Sequence, residues 1–412
     1  MKPLRILIVS QYFWPENFRI NELVAELVAR GHEVTVLTGV PNYPSGRISE
    51  NFRNNPGCFS QYGGASIVRV PLIPRGQSRL QLALNYLSFV ISGSTVGAWR
   101  LRGRSYDVVF SYLVSPMTAA LPALLIGRLK RAPVTIWVLD LWPETLAAVG
   151  AIRLKFVLRW VGFLVGFIYR HSACVFVQSR AFVSNVVRYG GDATRVNYLP
   201  GWAEQVFDAS PVSQTSVPEF SPYDGKFKIL FAGNIGEAQD FPSILTAIEA
   251  LRDRIDIHWI IVGDGRAKAQ VEAEVDARGL RDVVTLLGQH PIERMPSFFR
   301  AADALLVSLK AGSIFSMTIP GKVQSYLAAG VPILGMLDGE GARVIEEAGA
   351  GLVCPAGDGP GLVRQVRRLI ETSASERAAM GTRGRAYAGR EFNREHLVGR
   401  LEQALAEVVR AP

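Results

Sequence analysis

Two hydrophobic patterns alternate along the chain. Short continuous apolar runs are separated by longer stretches in which apolar residues return every third or fourth position, the marks of buried strands and amphipathic helices. Leu4–Val9 predicts a strand, Arg19–Ala29 an amphipathic helix closed by Gly31, and Glu33–Thr38 the next strand. Asp107–Phe110, Val134–Leu139, Ala173–Val177 and Arg195–Tyr198 predict further buried strands with helical stretches between them. From Phe207 to Pro222 the period is lost in a Ser- and Pro-rich run that predicts a linker. The alternation then restarts, with strands over Phe227–Ala232, Ile257–Val262, Val283–Leu287, Ala304–Leu309, Val331–Gly335 and Gly351–Val353. Helices are predicted over Pro242–Leu251 and Lys268–Ala277. Strands alternating with helices argue for parallel sheets covered on both faces, an α/β fold class. The expectation is two Rossmann-like, doubly wound domains over 1–205 and 206–391, with a last helix, 392–412, packing back on the first. Two such halves in tandem take a ligand in the cleft between the carboxyl ends of their strands, which favours a nucleotide-containing substrate.

Composition narrows the class. The chain has 412 residues, 49% hydrophobic and 20% charged, enough to bury a large core in two or three domains and too apolar for a disordered or collagen-like protein. Cys58, Cys174 and Cys354 lie far apart with no paired spacing, so neither a disulfide framework nor a zinc site is expected. The compartment expected from this is the cytoplasm. Met1-Lys2-Pro3 leads straight into a strand-like run, so no secretory signal is expected. The longest uncharged run, Val108 to Gly127, holds Pro116 and Pro122 and predicts strand, loop and helix; Trp160–Tyr169 is too short to span a bilayer.

The net charge of +9 is unevenly shared. Residues 1–205 carry 22 lysines and arginines against 10 acidic residues, whereas 206–412 carry 23 against 26. The first half therefore faces an anionic partner, or simply carries a solubility bias. Two segments give the first reading a shape. Arg153–Arg170 interleaves Phe156, Trp160, Phe163 and Phe167 with four cations, and Arg75, Arg79, Arg100, Arg102 and Arg104 bracket the uncharged run Leu80–Trp99. Aromatic–basic helices of this kind lie in the plane of an anionic bilayer. The alternative is that they bury their apolar faces in the core. No basic recognition motif points to nucleic acid.

Several chemical signatures are absent: GxxxxGK[ST], GxGxxG after the first strand, GxSxG, and an Asp-x-Asp clamp for a metal-bound diphosphate. Neither a metal nor a resident cofactor is expected. Three segments remain. Phe231-Ala-Gly-Asn-Ile-Gly236 ends a strand in a small-residue turn that lets backbone N–H groups approach an anion, although any strand–helix turn favours glycine. Val262-Gly-Asp-Gly265 has the same two readings. In Thr318-Ile-Pro-Gly-Lys322-Val-Gln-Ser325-Tyr-Leu-Ala-Ala-Gly330, Pro320 and Gly321 open a helix and Lys322 falls in its first turn. A lysine there opposes the helix dipole, a penalty that a bound diphosphate would reverse; the alternative is a surface lysine.

Gly31-His-Glu-Val-Thr-Val36, the 231–236 and 262–265 turns and Pro320–Pro332 occur in the order found in a retaining GT-B glycosyltransferase. Over nearly its whole length the chain resembles the bacterial family with a Glu-x7-Glu motif, glycosyltransferase family 4. Tyr12 to Glu16, Pro41–Pro44 and Asp140-Leu-Trp-Pro-Glu144 resemble its surface-polysaccharide branch, which includes N-acetylfucosaminyltransferases. The resemblance implies that Gly233, Asn234 and Gln239 face the donor diphosphate, with Gly263 beside them. Lys322, Pro320, Gly321, Gln324 and Ser325 would hold its other side, Lys310 would join the donor site, and Gln289 and His290 would lie near the base. Asp140 and Glu144 would face the acceptor or the reacting sugar, with Tyr12, Glu16, Arg19, Asn42 and Tyr43 on the acceptor side. Asp140 has a second reading as a cap of the following turn. The family's motif glutamates fall at Met317 and Ser325, and its diphosphate-site Arg and Lys at Asn234 and Gln239. With Lys322 and the glycine turns kept, these departures imply an altered donor sugar.

The activity implied is transfer of a sugar, such as an N-acetylated 6-deoxyhexose, from a nucleoside diphosphate to a lipid-linked or oligosaccharide acceptor. UDP is favoured over GDP, and the product belongs to a bacterial surface polysaccharide. The alternatives are a non-hydrolysing sugar-nucleotide 2-epimerase and an inactive scaffold at the membrane.

Overall fold

A computed structural model of the chain describes residues 2–76, 78–148, 150–207 and 217–411. They form two compact units, one of residues 1–200 with 395–412 and one of 201–394. The division falls just ahead of the sequence-based boundary at 205, so the segment after Gly201 belongs to the second unit. Of the expected linker, 208–216 lies outside the described residues. Pro218–Tyr223 forms a 3-10 turn whose Phe220 is buried in the core of unit 2, so that stretch is not linker.

Unit 1 is built on eight strands: β1 Arg5–Val9, β2 Glu33–Gly39, β3 Gln61–Tyr62, β4 Ala65–Val70, β5 Val108–Leu113, β6 Val134–Val138, β7 Cys174–Val177 and β8 Val196–Tyr198. Their order is β3-β4-β2-β1-β5-β6-β7-β8, parallel throughout except for the β3–β4 pair. β5 is buried at all six positions and β6 at all five, as strands covered on both faces must be. The first helix, Arg19–Ala29, buries Ile20, Leu23, Val24 and Leu27 on one stripe. Each such side chain contributes roughly 1.5–3 kcal/mol. Gly31 then takes φ +89°, which turns the chain into β2.

The last helix, Arg394–Arg410, belongs to this unit and buries Leu397, Val398, Leu401 and Leu405. Glu402 at its centre meets Arg30 at 3.2 Å and the buried His32 at 3.1 Å, and Arg400 donates to the Tyr198 carbonyl.

Unit 2 has six strands: β9 Phe227–Ala232, β10 Ile257–Val262, β11 Val284–Gly288, β12 Ala304–Ser308, β13 Ile333–Met336 and β14 Gly351–Cys354. All are parallel, in the order β11-β10-β9-β12-β13-β14. Alternate residues of β9 feed two cores, Leu230 and Ala232 into one and Ile229 and Phe231 into the other. In both sheets the winding direction reverses beside the first strand, between β1 and β5 and between β9 and β12. A doubly wound sheet opens a crevice at the carboxyl ends of the strands at that point.

The segments expected at a membrane are helices Arg79–Ser92 and Lys155–Arg170. The second buries Val165, Ile168 and Tyr169 while Phe156, Trp160, Phe163 and Phe167 face outward, so one face joins the core and the other stays exposed. Among the described residues, no helix is long and apolar enough to cross a membrane.

Candidate active site

In unit 2 the chemistry gathers at the β9–β12 reversal. β9 ends at Ala232 and the chain turns through Gly233 at φ +131°, with Asn234 exposed beyond it. The neighbouring turn after β10 passes through Gly263 at φ +144° so closely that a Cβ there would lie 1.9 Å from the Gly233 carbonyl oxygen. Gly233 N–H donates to Val262 O and Ile235 N–H to Asp264 O, both at 2.8 Å, which locks the two turns together. Gln239 does not stand free: its Oε1 accepts from Gly236 N–H at 3.1 Å and closes the turn.

Lys322 reaches this place from the helix Gly321–Ala329, which Pro320 introduces without a side-chain cap. Val323 N–H bonds Pro320 O at 2.9 Å, and the N–H groups ahead of it, of Gly321 and Lys322, face the start of the helix where an anion would sit. The ammonium sits 4.4 Å from the centre of the Phe231 ring, and a Cβ on Gly233 would come within 3.2 Å of Nζ. Part of the side chain is exposed, yet its charged end is deep enough that burial lowers its pKa to about 8. Among the described residues it has no ion pair. Next along the helix, Gln324 is buried with Oε1 unpartnered, and Tyr326 accepts from Ala232 N–H at 3.0 Å, tying the helix to the end of β9. A partly desolvated cation, two glycine turns and an uncapped helix start thus share one spot. That set suits a diphosphate.

Other expected donor residues follow β11 and β12 or stand on or just ahead of the Lys322 helix. Lys310, just past β12, has an exposed side chain and donates its backbone N–H to Ala238 O at 2.8 Å. Gln289 is exposed, and His290 Nδ1 lies 3.2 Å from Arg294, which itself clasps Glu219 through two hydrogen bonds. Met317 is half-buried. Ser325 gives its hydroxyl to Glu204 Oε2 at 2.6 Å. Glu204 was not foreseen, because the two lie 121 residues apart.

In unit 1 a second cluster forms at the β1–β5 reversal. Ser10, Gln11 and Tyr12 after β1 and Val114–Pro116 after β5 line one small pocket with Phe18 and Tyr112. Tyr12 stacks on Phe18 at 5.6 Å and touches Tyr43 at 5.5 Å, while the Arg75 guanidinium lies 5.3 Å from the Tyr43 ring. Burial raises the pKa of Tyr12 and of Tyr86; Arg75 opposes the rise in both, and the Asp140 charge adds to it in Tyr86. Asp140, just past β6, is half-buried, and burial raises its pKa to about 7, opposed weakly by a 3.4 Å hydrogen bond from Thr145.

Glu16 and Asn42 are held by hydrogen bonds to loop backbone groups. Glu16 Oε1 takes the N–H groups of Asn42 and Tyr43 at 2.6 Å each, and Oε2 takes that of Phe13 at 3.3 Å. Asn42 accepts from Arg75 N–H and donates to Val40 O. Together they set the 41–44 turn that presents Tyr43. Glu144 accepts the Tyr189 hydroxyl at 2.8 Å, and Arg19 is half-buried at the start of its helix. Arg75, Asn85 and Tyr86 were missed as site residues; Asn85 accepts from both Gln11 and Tyr12. No group of three metal-ligating side chains occurs among the described residues.

Comparison with known proteins agrees with this division. A protein of Escherichia coli (strain K12) named WcaI, for glycosyl transfer in colanic acid biosynthesis, is 27% identical over 350 residues, 79% of this chain and 82% of its own. The 2-deoxystreptamine glucosyltransferase of Streptomyces kanamyceticus is 24% identical over 92% of this chain and 95% of its own. Among solved structures, Anabaena HepE in complex with UDP superposes with a TM-score of 0.72 at 14% identity, covering 98% of this chain and all of that one. WaaG, a glycosyltransferase involved in lipopolysaccharide biosynthesis, gives 0.63 at 16% identity over 99% of this chain and all of its own. At such identities the likeness shows the fold, which is GT-B. Residues 17–202 match the glycosyl transferase 4-like domain and residues 213–387 the glycosyl transferases group 1 domain, so the chain is a glycosyltransferase of the family that joins these two domains.

Proposed function

We propose that the chain transfers a sugar from a nucleoside-diphosphate donor, UDP in preference to GDP, to a lipid-linked or oligosaccharide acceptor in bacterial surface-polysaccharide synthesis. The observation that carries this is the seat of Lys322: a buried-ended cation without a carboxylate partner, closed over two glycine turns and an uncapped helix start. Names of relatives support the product class, since WcaI is named for colanic acid and AmsK of Erwinia amylovora for amylovoran biosynthesis. HepE binding UDP supports the donor class.

In this reading unit 2 holds the donor. As the anomeric C–O bond breaks, the charge growing on the diphosphate is met by Lys322 and by N–H groups already in place. Transfer proceeds with retention and without a metal: the leaving phosphate takes the acceptor's proton, and Asp140 orients the acceptor hydroxyl. The altered residues at Met317 and Ser325 support a donor other than the common hexoses, such as an N-acetylated 6-deoxyhexose. Both family matches are to glycosyltransferases, which does not favour the epimerase reading.

Unit 1 works at the cytoplasmic face of the inner membrane in this proposal. Helix Ala120–Lys130 packs against both Arg79–Ser92 and Lys155–Arg170, and all three turn bulky apolar side chains outward. Leu80 is 69% exposed and Trp160 70%, with Lys155 and Arg159 exposed beside the latter.

The test is turnover of UDP-sugars by Lys322→Ala. Loss of a charge-assisted contact to the leaving group is expected to lower kcat by about 10²-fold or more. Unchanged turnover would remove the diphosphate from this site.

A further inference from the structure

Position 325 is where the resembling family carries its second motif glutamate, and serine stands there in this chain. The structure returns a carboxylate to the same place from another segment. Glu204, on the stretch that enters unit 2, accepts a hydrogen bond from Ser325 Oγ at 2.6 Å. The same hydroxyl lies 3.2 Å from Gly321 O, and its one hydrogen goes to the shorter, charge-assisted partner. Glu204 is half-buried, and among the described residues no cation pairs with it.

The placement limits what this carboxylate can meet. Ser325 lies three residues along the helix from Lys322, about 4.5 Å of axial rise, on an adjoining part of its face. A diphosphate held at Lys322 and Gly233 leaves its ribose as the next group along the nucleotide. A carboxylate repels phosphate but accepts hydroxyl hydrogens, and its oxygens can take both members of a vicinal diol. We propose that Glu204 binds the 2′- and 3′-hydroxyls of the donor's ribose, and that Ser325 is the positioning residue that aims it. The inference rests on reading unit 2 as the donor site. It recasts the serine as half of a two-residue replacement, with the acid supplied from a distant stretch of the chain.

The experiment is calorimetric titration of the full chain with UDP and with 2′,3′-dideoxyuridine diphosphate, repeated on two variants. The wild type is expected to bind UDP about ten- to a hundredfold more tightly, as charge-assisted hydrogen bonds to two hydroxyls require. Glu204→Ala is expected to bind both ligands equally, at the weaker affinity. Glu204→Ala combined with Ser325→Glu is expected to regain the preference for UDP. Retention of the wild-type preference in Glu204→Ala overturns the inference. So does an equal loss of both ligands, which is what a merely structural role predicts; in either case the reading of unit 2 stands. If neither UDP nor GDP binds the wild type, that reading fails and takes the inference with it.

Discussion

Asp140 binds its proton more tightly in the folded chain than in the unfolded one. Burial raises its pKa from 3.8 to about 7, so between those values the folded state holds the extra proton and stability falls as pH rises. Asp140→Asn is therefore expected to melt at a higher temperature than the wild type at pH 8, with the difference gone below about pH 4. Orienting an acceptor hydroxyl requires the ionised form. Wild-type turnover is expected to climb as pH rises through about 7, while the Asn variant loses the climb and about 10²-fold or more of its rate. A stabilised variant with wild-type turnover would make Asp140 a buried turn residue and nothing more. Lys322 is displaced by the same cause in the opposite sense, since burial also disfavours its charged form.

Turns, more than strands or helices, decide what unit 2 can bind, and they differ sharply in how much they tolerate. A Cβ on Gly31 meets nothing within 4 Å, so Gly31→Ala suffers only from its left-handed backbone, roughly 1–2 kcal/mol. Gly263→Ala adds a direct clash with the Gly233 carbonyl oxygen and must push the two turns apart. Thermal melts and UDP titration should show it losing stability by a few kcal/mol and donor affinity at least tenfold, whereas Gly31→Ala keeps its affinity. If Gly263→Ala binds UDP normally, the close crossing of the turns does not shape the site.

The same elements show what could be seen in advance. Phe227–Ala232 and Ile257–Val262 match the expected strands end for end, because each is an apolar run broken only at its second position, by Lys228 and His258. Strand β4 was missed: its buried positions are interrupted at Ser66 and Arg69. The glycine turns and Lys322 were legible because backbone approach and helix starts demand particular residue types in local order. Glu204, Asn85 and Arg75 were not, since each acquires its task from a partner in a different part of the chain. Glu16 was seen as a residue, but not the N–H groups of Phe13, Asn42 and Tyr43 that it clamps.

At the scale of the molecule, the outward apolar stripe of the helix Lys155–Arg170 sets up a measurable association. Phe156, Trp160, Phe163 and Phe167 lie exposed among cations that have no carboxylate partner in the described residues. Sedimentation with phosphatidylglycerol vesicles is expected to carry the protein down, neutral phosphatidylcholine much less so, and higher salt should release it. Trp160→Glu with Phe163→Glu should leave it in the supernatant while donor binding by unit 2 is unchanged. Equal sedimentation of variant and wild type would assign the stripe to some other partner.

The return of Arg394–Arg410 to unit 1 has a consequence for the order of assembly. On a ribosome, residues 1–200 emerge ahead of unit 2, yet the groove awaiting Leu397, Val398, Leu401 and Leu405 stays open until unit 2 has been made. Unit 2, whose residues are contiguous from 201 to 394, can finish before the unit that began ahead of it. For the length of one domain's synthesis the chain carries an uncovered apolar groove on unit 1, and a helix made only after unit 2 is the one that closes it.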